Sequence, residues 1–599
     1  MTRSRNWSAG RGACSEYEEN RSSPDAVGGN FRSWPSLLVG LLPRCPLMNS
    51  SFLSRAPFSL DAVAAAWVEA TYRSLSPQER VAQLFNLLSR GTEPDELEKL
   101  ERLRPGGITR YFGPDGEAER SRIAAAQKAA VVPLLVSADL EGSRMSLPFG
   151  TQVPNPLALA AIDDLHVTAE ISRIIADEAN FVGVNWSFTP VMDINRAFRS
   201  SIVGTRSFGA DVETICRHAI SHIETLQQHG IAATAKHWPG EGYDDRDQHL
   251  VTTINPLSMA EWDATFGKLY RRAIDAGVLS IMSAHIALPA FVRTHPRDAG
   301  VEAFRPASVN GLLNIELLRR HLGFNGLIVS DASEMGGLTS WCRAATAKWQ
   351  IIAGGCDMIL FSRAPEQDMA AVQAALEDGR ITAERFEDAV LRVLALKAAL
   401  GLHDPASARP AGAISRAADK AIADAALRRA PTLVKDTQGL LPISPQRHKR
   451  VLVISGGIIS PIHGEPQPFK LPDMLAAEGF QVTVHSQQPA VDPASFDLVL
   501  YLLGEETLLT RGRVFLDWAR LGGDFVSAMR RYWHDIPTAM ISFGYPYHLY
   551  DAPRVPTYIN AYCTIDEMQV AVVDLLMGRH PWNRNSPVDP CCGLEDAKY

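Results

Sequence analysis

The sequence predicts an α/β chain, a TIM-type (β/α)8 barrel followed by a smaller α/β/α sandwich domain. Three observations carry this. At 599 residues, 46% of them apolar, the chain exceeds the roughly 250–300 residues at which one hydrophobic core stops growing, so two large domains are expected. Between Gly106 and Arg363 short β-rich apolar runs alternate with helical stretches, the signature of a parallel sheet. Nearly every run ends in a polar or charged residue, namely Asp139, Asp193, Lys236, His285, Asp331 or Ser362. In a barrel that C-terminal rim is where active sites are built.

Taken in order, residues 1–57 are set apart as a disordered or spurious extension. The first 47 are rich in Arg, Ser, Gly and Asn and show neither helical nor strand periodicity. The apolar run 36–42, between Arg32 and Arg44, imitates a signal peptide but is short and lacks a small-x-small cleavage site. A start at Met48 is the preferred reading and secretion the alternative. The barrel domain is placed at 58–400. Ser76, Pro77 and Glu79 predict a sharp helix start, with a capping Ser, Pro at the first position and a capping box. Val81, Leu84, Phe85 and Leu88 mark that helix's apolar face. The strand runs are 107–112, 133–138, 186–191, 232–235, 278–283, 327–330 and 358–361, and helices over 370–376 and 383–399 close the unit.

Residues 401–430 read as a linker that opens on a Pro/Ala/Gly-rich stretch. The sandwich domain, 431–599, shows strands at 450–455, 481–485, 498–502 and 538–542. Neither GxGxxG nor GxxxxGK[ST] follows Gly456-Gly457, so that pair reads as a tight βα turn rather than a nucleotide loop. The aromatic segment 543–550 reads as a domain interface in preference to a cleft wall.

Composition removes several function classes. A net charge of −8 lacks the basic excess that neutralises phosphates, so nucleic acid is not an expected partner. No apolar run reaches the ~18–20 residues of a membrane span. Eight cysteines without a CxxC pair make neither a disulfide framework nor a zinc set, and reduced thiols in a cytoplasmic protein are expected. Monomer and homodimer both stay open.

Two segments carry chemistry. The stretch 236–249 leaves a strand as Lys236-His237-Trp238-Pro239-Gly240-Glu241-Gly242-Tyr243 and ends in Asp247-Gln248-His249. A solvated charged loop is one reading, and a metal site from His237, Asp245, Asp247 and His249 is another. The catalytic reading is a dyad in which Asp247 orients the imidazole of His249 as acid and then base. The second segment, Val329-Ser330-Asp331-Ala332-Ser333-Glu334-Met335-Gly336-Gly337, delivers a carboxylate to the rim, where it suits a nucleophile. A helix-capping βα turn is the alternative.

Together these segments resemble glycoside hydrolase family 3, and its β-N-acetylhexosaminidase branch in particular. The resemblance adds Asp139-Leu140-Glu141-Gly142, the run 188–194 from Phe188 to Asp193-Ile194, and Arg206-Ser207-Phe208-Gly209. It extends through 541–549 and 584–588. It implies a retaining exo-glycosidase that removes non-reducing terminal β-linked N-acetylglucosamine from cell-wall fragments or chitooligosaccharides. Asp331 would be nucleophile and His249 with Asp247 acid/base. Asp139, Arg206, Lys236 and His237 would hold the sugar, with Glu334 beside the nucleophile, and no metal or organic cofactor would be needed. The chain departs from the branch at Glu241, where a His is usual, and at Leu147, where an Arg is usual, with Arg144 a candidate substitute charge. A phosphorylase, a β-glucosidase and a silent sugar-binding protein are the competing functions.

Overall fold

The computed structural model describes residues 50–599 except 92–94, 296–298, 405, 407–411, 462–463 and 486–490. The readings made for residues 1–49 lie outside the described residues. Asn49–Tyr599 forms one compact unit.

The packed chain starts before the expected boundary near Phe58. Phe52 and Leu53 are buried, Asn325 Nδ2 donates to the carbonyls of Phe52 and Ala56, and the Arg392 guanidinium lies over the Phe52 ring. The predicted helix begins as expected at Pro77–Gln83, with Ser76 as cap and the capping box to Glu79 in place. It ends one turn sooner than its apolar face implies. Phe85–Ser89 is instead a strand, β1, and supplies the eighth stave that the sequence reading lacks.

The others are β2 (Gly107–Arg110), β3 (Leu135–Ala138), β4 (Trp186–Ser187), β5 (Thr234–Trp238), β6 (Ser280–Ser283), β7 (Leu327–Ala332) and β8 (Met358–Leu360). Their order is β4-β3-β2-β1-β8-β7-β6-β5, and every pairing in it is parallel. Isolated parallel bridges, Trp186 to Ala232 and Val191 to Lys236, close the ring between β4 and β5. β5 runs further than expected, so Lys236 and His237 stand on a strand end rather than in the loop that follows.

The second domain is a six-stranded sheet: β9 (Thr432–Asp436), β10 (Arg450–Ile459), β11 (Gln481–Val484), β12 (Leu498–Glu505), β13 (Thr538–Gly544) and β14 (Thr557–Asn560). The order is β9-β14-β13-β12-β10-β11, with only β9 antiparallel. Alternate residues of β10 and β12 feed two cores, Val451, Val453, Leu498 and Leu500 on one face and Leu452, Ile454, Val499 and Tyr501 on the other. That period of two is what a sheet covered on both faces requires. Gly456-Gly457 is not a βα turn. β10 continues through it to Ile459 with a register shift between Ser455 and Ile458, a bulge in which Gly457 takes φ +75°.

Within the expected linker, Ala417–Arg429 is a helix. Its Leu427 joins the sandwich core, while Asp419 pairs with Arg173 of the barrel at 2.9 Å. The aromatic segment of the sandwich is an interface, as expected. Tyr545 Oη donates to the Phe198 carbonyl, and Tyr550 packs against the Phe198 ring at 4.7 Å.

Candidate active site

The C-terminal ends of β3 and β5 build a buried charge cluster. Glu141, just past β3, takes two bonds from Arg206, Nε to Oε2 and Nη2 to Oε1, both 2.8 Å. Lys236 Nζ lies 2.8 Å from Glu141 Oε1 and donates to Asp139 Oδ1 at 2.9 Å. Burial pushes the Glu141 carboxyl up, but Arg206 and Lys236 outweigh it and hold the group well below the ordinary range. Burial would lower Lys236, and Asp139 with Glu141 reverse that and raise it. Both cations are therefore committed to carboxylates, and of the four groups Asp139 offers the most exposed side chain.

His237 is oriented from the other side by Asp193. The imidazole Nδ1–H donates to Asp193 Oδ2 at 2.6 Å, and the His237 and Glu241 backbone N–H groups donate to Oδ1 at 3.1 and 3.0 Å. That leaves Nε2 as the acceptor edge, 3.5 Å from Arg206 Nη2.

Asp331 is the fifth residue of β7 and buried. Its Oδ1 accepts the Ala332 N–H at 2.7 Å. Burial raises the carboxyl, but the facing imidazoles of His237, His285 and His249, with that N–H, bring it net below the usual carboxylate value. An ionised oxygen is what a nucleophile needs.

The dyad is formed. Asp247 Oδ1 accepts from His249 Nδ1 at 2.8 Å and from the His249 N–H at 2.7 Å, so Nε2 is the free working nitrogen. The dyad loop is sewn to the segment behind the nucleophile. The Gly336 N–H donates to the His249 carbonyl at 2.7 Å and the Gly337 N–H to the Gln248 carbonyl at 3.0 Å. A Cβ on Gly337 would stand 2.4 Å from that carbonyl oxygen, so only glycine lets the two segments approach this closely.

Not every expected residue joins the cluster. Glu334 turns to the rim, where Oε2 accepts from Arg363 Nε at 2.9 Å. Arg144 does not replace the missing charge near Leu147, since it donates to Thr564 Oγ1 and the Thr564 carbonyl. The metal set is not assembled either. Asp247 is held on His249, and Asp245 lies 3.6 Å from Arg513. Asp193, His237 and Glu241 do approach one another, a closeness that the bonds to Asp193 account for.

Residues 79–396 match the glycosyl hydrolase family 3 N terminal domain. The chain belongs to glycoside hydrolase family 3. Over 568 residues it is 40% identical to a β-N-acetylglucosaminidase/β-glucosidase of Cellulomonas fimi, covering 91% of this chain and 99% of that protein. It superposes on a β-glucoside phosphorylase with TM-score 0.85 at 32% identity, covering 91% of this chain and 100% of the other. A family 3 β-N-acetylglucosaminidase from Paenibacillus sp. shares the fold, with TM-score 0.74 at 24% identity over 87% and 100% of the two chains.

This family 3 enzyme also uses residues that the sequence reading quotes without a role. Glu141 and Asp193 are the counter-charges that fix Arg206, Lys236 and His237. Glu241 accepts from Gln248 Nε2 at 3.0 Å, and Gln248 Oε1 accepts the His285 N–H at 3.1 Å. Their signal was present only as acids at strand ends, which a capping turn would also produce.

Proposed function

We propose that this family 3 enzyme is a retaining exo-glycosidase that releases a terminal, non-reducing β-linked N-acetylhexosamine. Cell-wall fragments or chitooligosaccharides are its substrates, and the cytoplasm, which suits the free thiols among the described residues, is its setting. The observation that carries the reading is the pairing of an ionised, buried Asp331 with a His249–Asp247 dyad hydrogen-bonded to the segment behind it.

In the first step Asp331 attacks the anomeric carbon while the bond to the aglycone oxygen breaks, and protonated His249 Nε2 gives its proton to that oxygen. In the second, neutral Nε2 takes a proton from water, the water oxygen attacks the same carbon, and the bond to Asp331 breaks. Two inversions give retention. Asp139, Lys236, Arg206 and His237 form the polar floor for the sugar hydroxyls and acetamido group. The name of the Cellulomonas relative covers both N-acetylglucosaminide and glucoside, which fits a pocket without the branch's Arg near Leu147.

Phosphorolysis is the second reading. A neutral imidazole repels phosphate less than a carboxylate would, and the structurally similar β-glucoside phosphorylase supports it.

The test is turnover of 4-nitrophenyl β-N-acetylglucosaminide against the β-glucoside, with and without phosphate, for the parent and Asp331→Asn. Release from the N-acetyl substrate that falls at least about a thousandfold in the variant is expected. A sugar 1-phosphate product would select the phosphorylase, and full activity of Asp331→Asn would remove the nucleophile assignment.

A further inference from the structure

The sandwich domain reaches the dyad. Beyond β12 the chain crosses the barrel rim over residues 506–514. Glu506 accepts from Ser143 Oγ at 3.1 Å and Asn155 Nδ2 at 2.9 Å, both of the barrel. Thr507 Oγ1 lies 3.5 Å from Thr205 Oγ1, Ser201 Oγ donates to the Gly512 carbonyl at 3.5 Å, and the Val514 N–H donates to the Arg199 carbonyl at 3.4 Å. At the middle of this crossing the Thr510 N–H donates to Asp247 Oδ2 at 2.7 Å.

Both oxygens of the dyad carboxylate are thereby spoken for, Oδ1 by His249 and Oδ2 by the other domain. Asp247 is buried, with 1% of its surface exposed. Its carboxylate accepts from His249 and Thr510, and a hydrogen bond to a buried carboxylate is among the stronger ones. The backbone is bent to make it. Thr507 and Thr510 take φ +52° and +66°, a left-handed conformation that β-branched residues rarely adopt and that persists where the surroundings over-determine it. Gly512, also left-handed at φ +77°, completes a loop whose shape delivers one N–H to one oxygen.

We propose that Thr510 is a positioning residue of the acid/base dyad: its backbone N–H holds Asp247, so that the sandwich domain sets the aim of His249 from across the domain boundary. The inference rests on the reading of His249 as acid/base. Thr510 touches neither substrate nor the reacting atoms. Its loss is therefore expected to show where proton donation limits the rate, and to spare substrates whose leaving group needs no proton.

The experiment compares kcat/KM on 4-nitrophenyl and 2,4-dinitrophenyl β-N-acetylglucosaminides for the parent, Thr510→Pro, Thr510→Gly and His249→Ala. Thr510→Pro removes the N–H and, because proline is locked near φ −65°, also the left-handed bend that aims it at Asp247. It is expected to lose about ten- to a hundredfold in kcat/KM, which reports the glycosylation step, on the 4-nitrophenyl substrate, with a much smaller loss on the dinitrophenyl one. Thr510→Gly keeps the N–H and accepts the left-handed backbone, so it rescues turnover relative to Thr510→Pro. Equal losses on both substrates, or none, overturn the proposal. His249→Ala separates the two levels. If it lacks leaving-group dependence the dyad reading falls and the proposal with it, whereas if it shows that dependence and folded Thr510→Pro does not, the proposal alone falls. Should Thr510→Pro fail to fold, hydrogen exchange of the 506–513 peptide in Asp247→Ala decides. Faster exchange than in the parent supports the bond, and unchanged exchange overturns it.

Discussion

Among the described residues no cation pairs with Glu241 directly. Arg206 and Lys236 are committed to Glu141 and Asp139, and the carboxylates of Asp193, Asp247 and Asp331 surround a side chain that is itself buried. Burial first, then repulsion from Asp193, raises the Glu241 carboxyl well above its ordinary value, with Arg206 opposing. An acid whose folded-state value is raised binds more protons folded than unfolded above pH ~4.5, so it withdraws stability as pH rises through that region. Glu241→Gln, isosteric and neutral, is expected to raise Tm relative to the parent at pH 7, with the gap closing below pH ~4.5. A gap that is constant across pH in thermal melts would sink this account. Asp139, Lys236, His237 and Asp331, which the sequence singles out, stand at or next to a strand's C-terminal end, where the barrel rim fixes direction, while Arg206, Asp247 and His249 come from the longer loops beyond β4 and β5. Glu334 lies only three residues beyond Asp331, yet its side chain leaves for Arg363. Chain proximity does not fix where a long rotamer points, and the same gap hid Glu141 and Asp193, whose roles depend on cations far along the chain.

The helices behind the site carry a second pH dependence. Val212–Gln228 packs on Leu165–Val182 through His222, which lies 2.7 Å from Ser172 Oγ at Nδ1 and 2.8 Å from Thr189 Oγ1 at Nε2. Full burial pushes this imidazole down to about 4. The unfolded chain takes up a proton near pH ~6.5 that the folded chain refuses until about 4, so this contribution falls as pH drops between those values and is flat above. Its ceiling is about 3 kcal/mol. His222→Gln is expected to melt less steeply with acid over that window. Parallel Tm curves for parent and variant from pH 4 to 6.5 would contradict it. At this scale periodicity, helped by caps, was a good guide at Ser76 and over Ala383–Ala399, although the latter helix is buried on all sides past Ala389. It failed for β1, because Phe85 and Leu87 face one side, Asn86 and Leu88 the other, and nearly all are buried, leaving no alternation to tell strand from helix. It failed for β9 and β14 as well, whose place in the sheet is fixed by long-range pairing.

The whole molecule behaves as two folds with one seam. Leu157, Ala158 and Ala161 come from the barrel-domain helix Pro156–Ile162 but sit in a core with Leu427, Tyr545 and Phe543 of the other half, so the division at 401–430 that composition suggests is not a division in packing. Glu506 is the polar centre of the seam. It accepts from Ser143 and Asn155 on the barrel side and, on the sandwich side, from the Thr564 N–H and Oγ1, both at 2.8 Å. Asn155 Nδ2 also donates to the Tyr562 carbonyl at 2.8 Å, so part of the contact survives without Glu506. Apolar burial shared across the boundary couples the halves, and one calorimetric transition is expected for the parent. Glu506→Ala leaves four buried donors short of an acceptor, a loss of about 3 kcal/mol or more. Because that loss falls on the seam and on neither core, the melt is expected to resolve into two steps, the first at lower temperature. The same variant frees the start of the crossing that carries Thr510, so kcat on a poor leaving group should fall with it. A single transition at the parent's Tm, with full activity, would mean that the shared apolar core alone couples the domains and that Glu506 adds nothing to it.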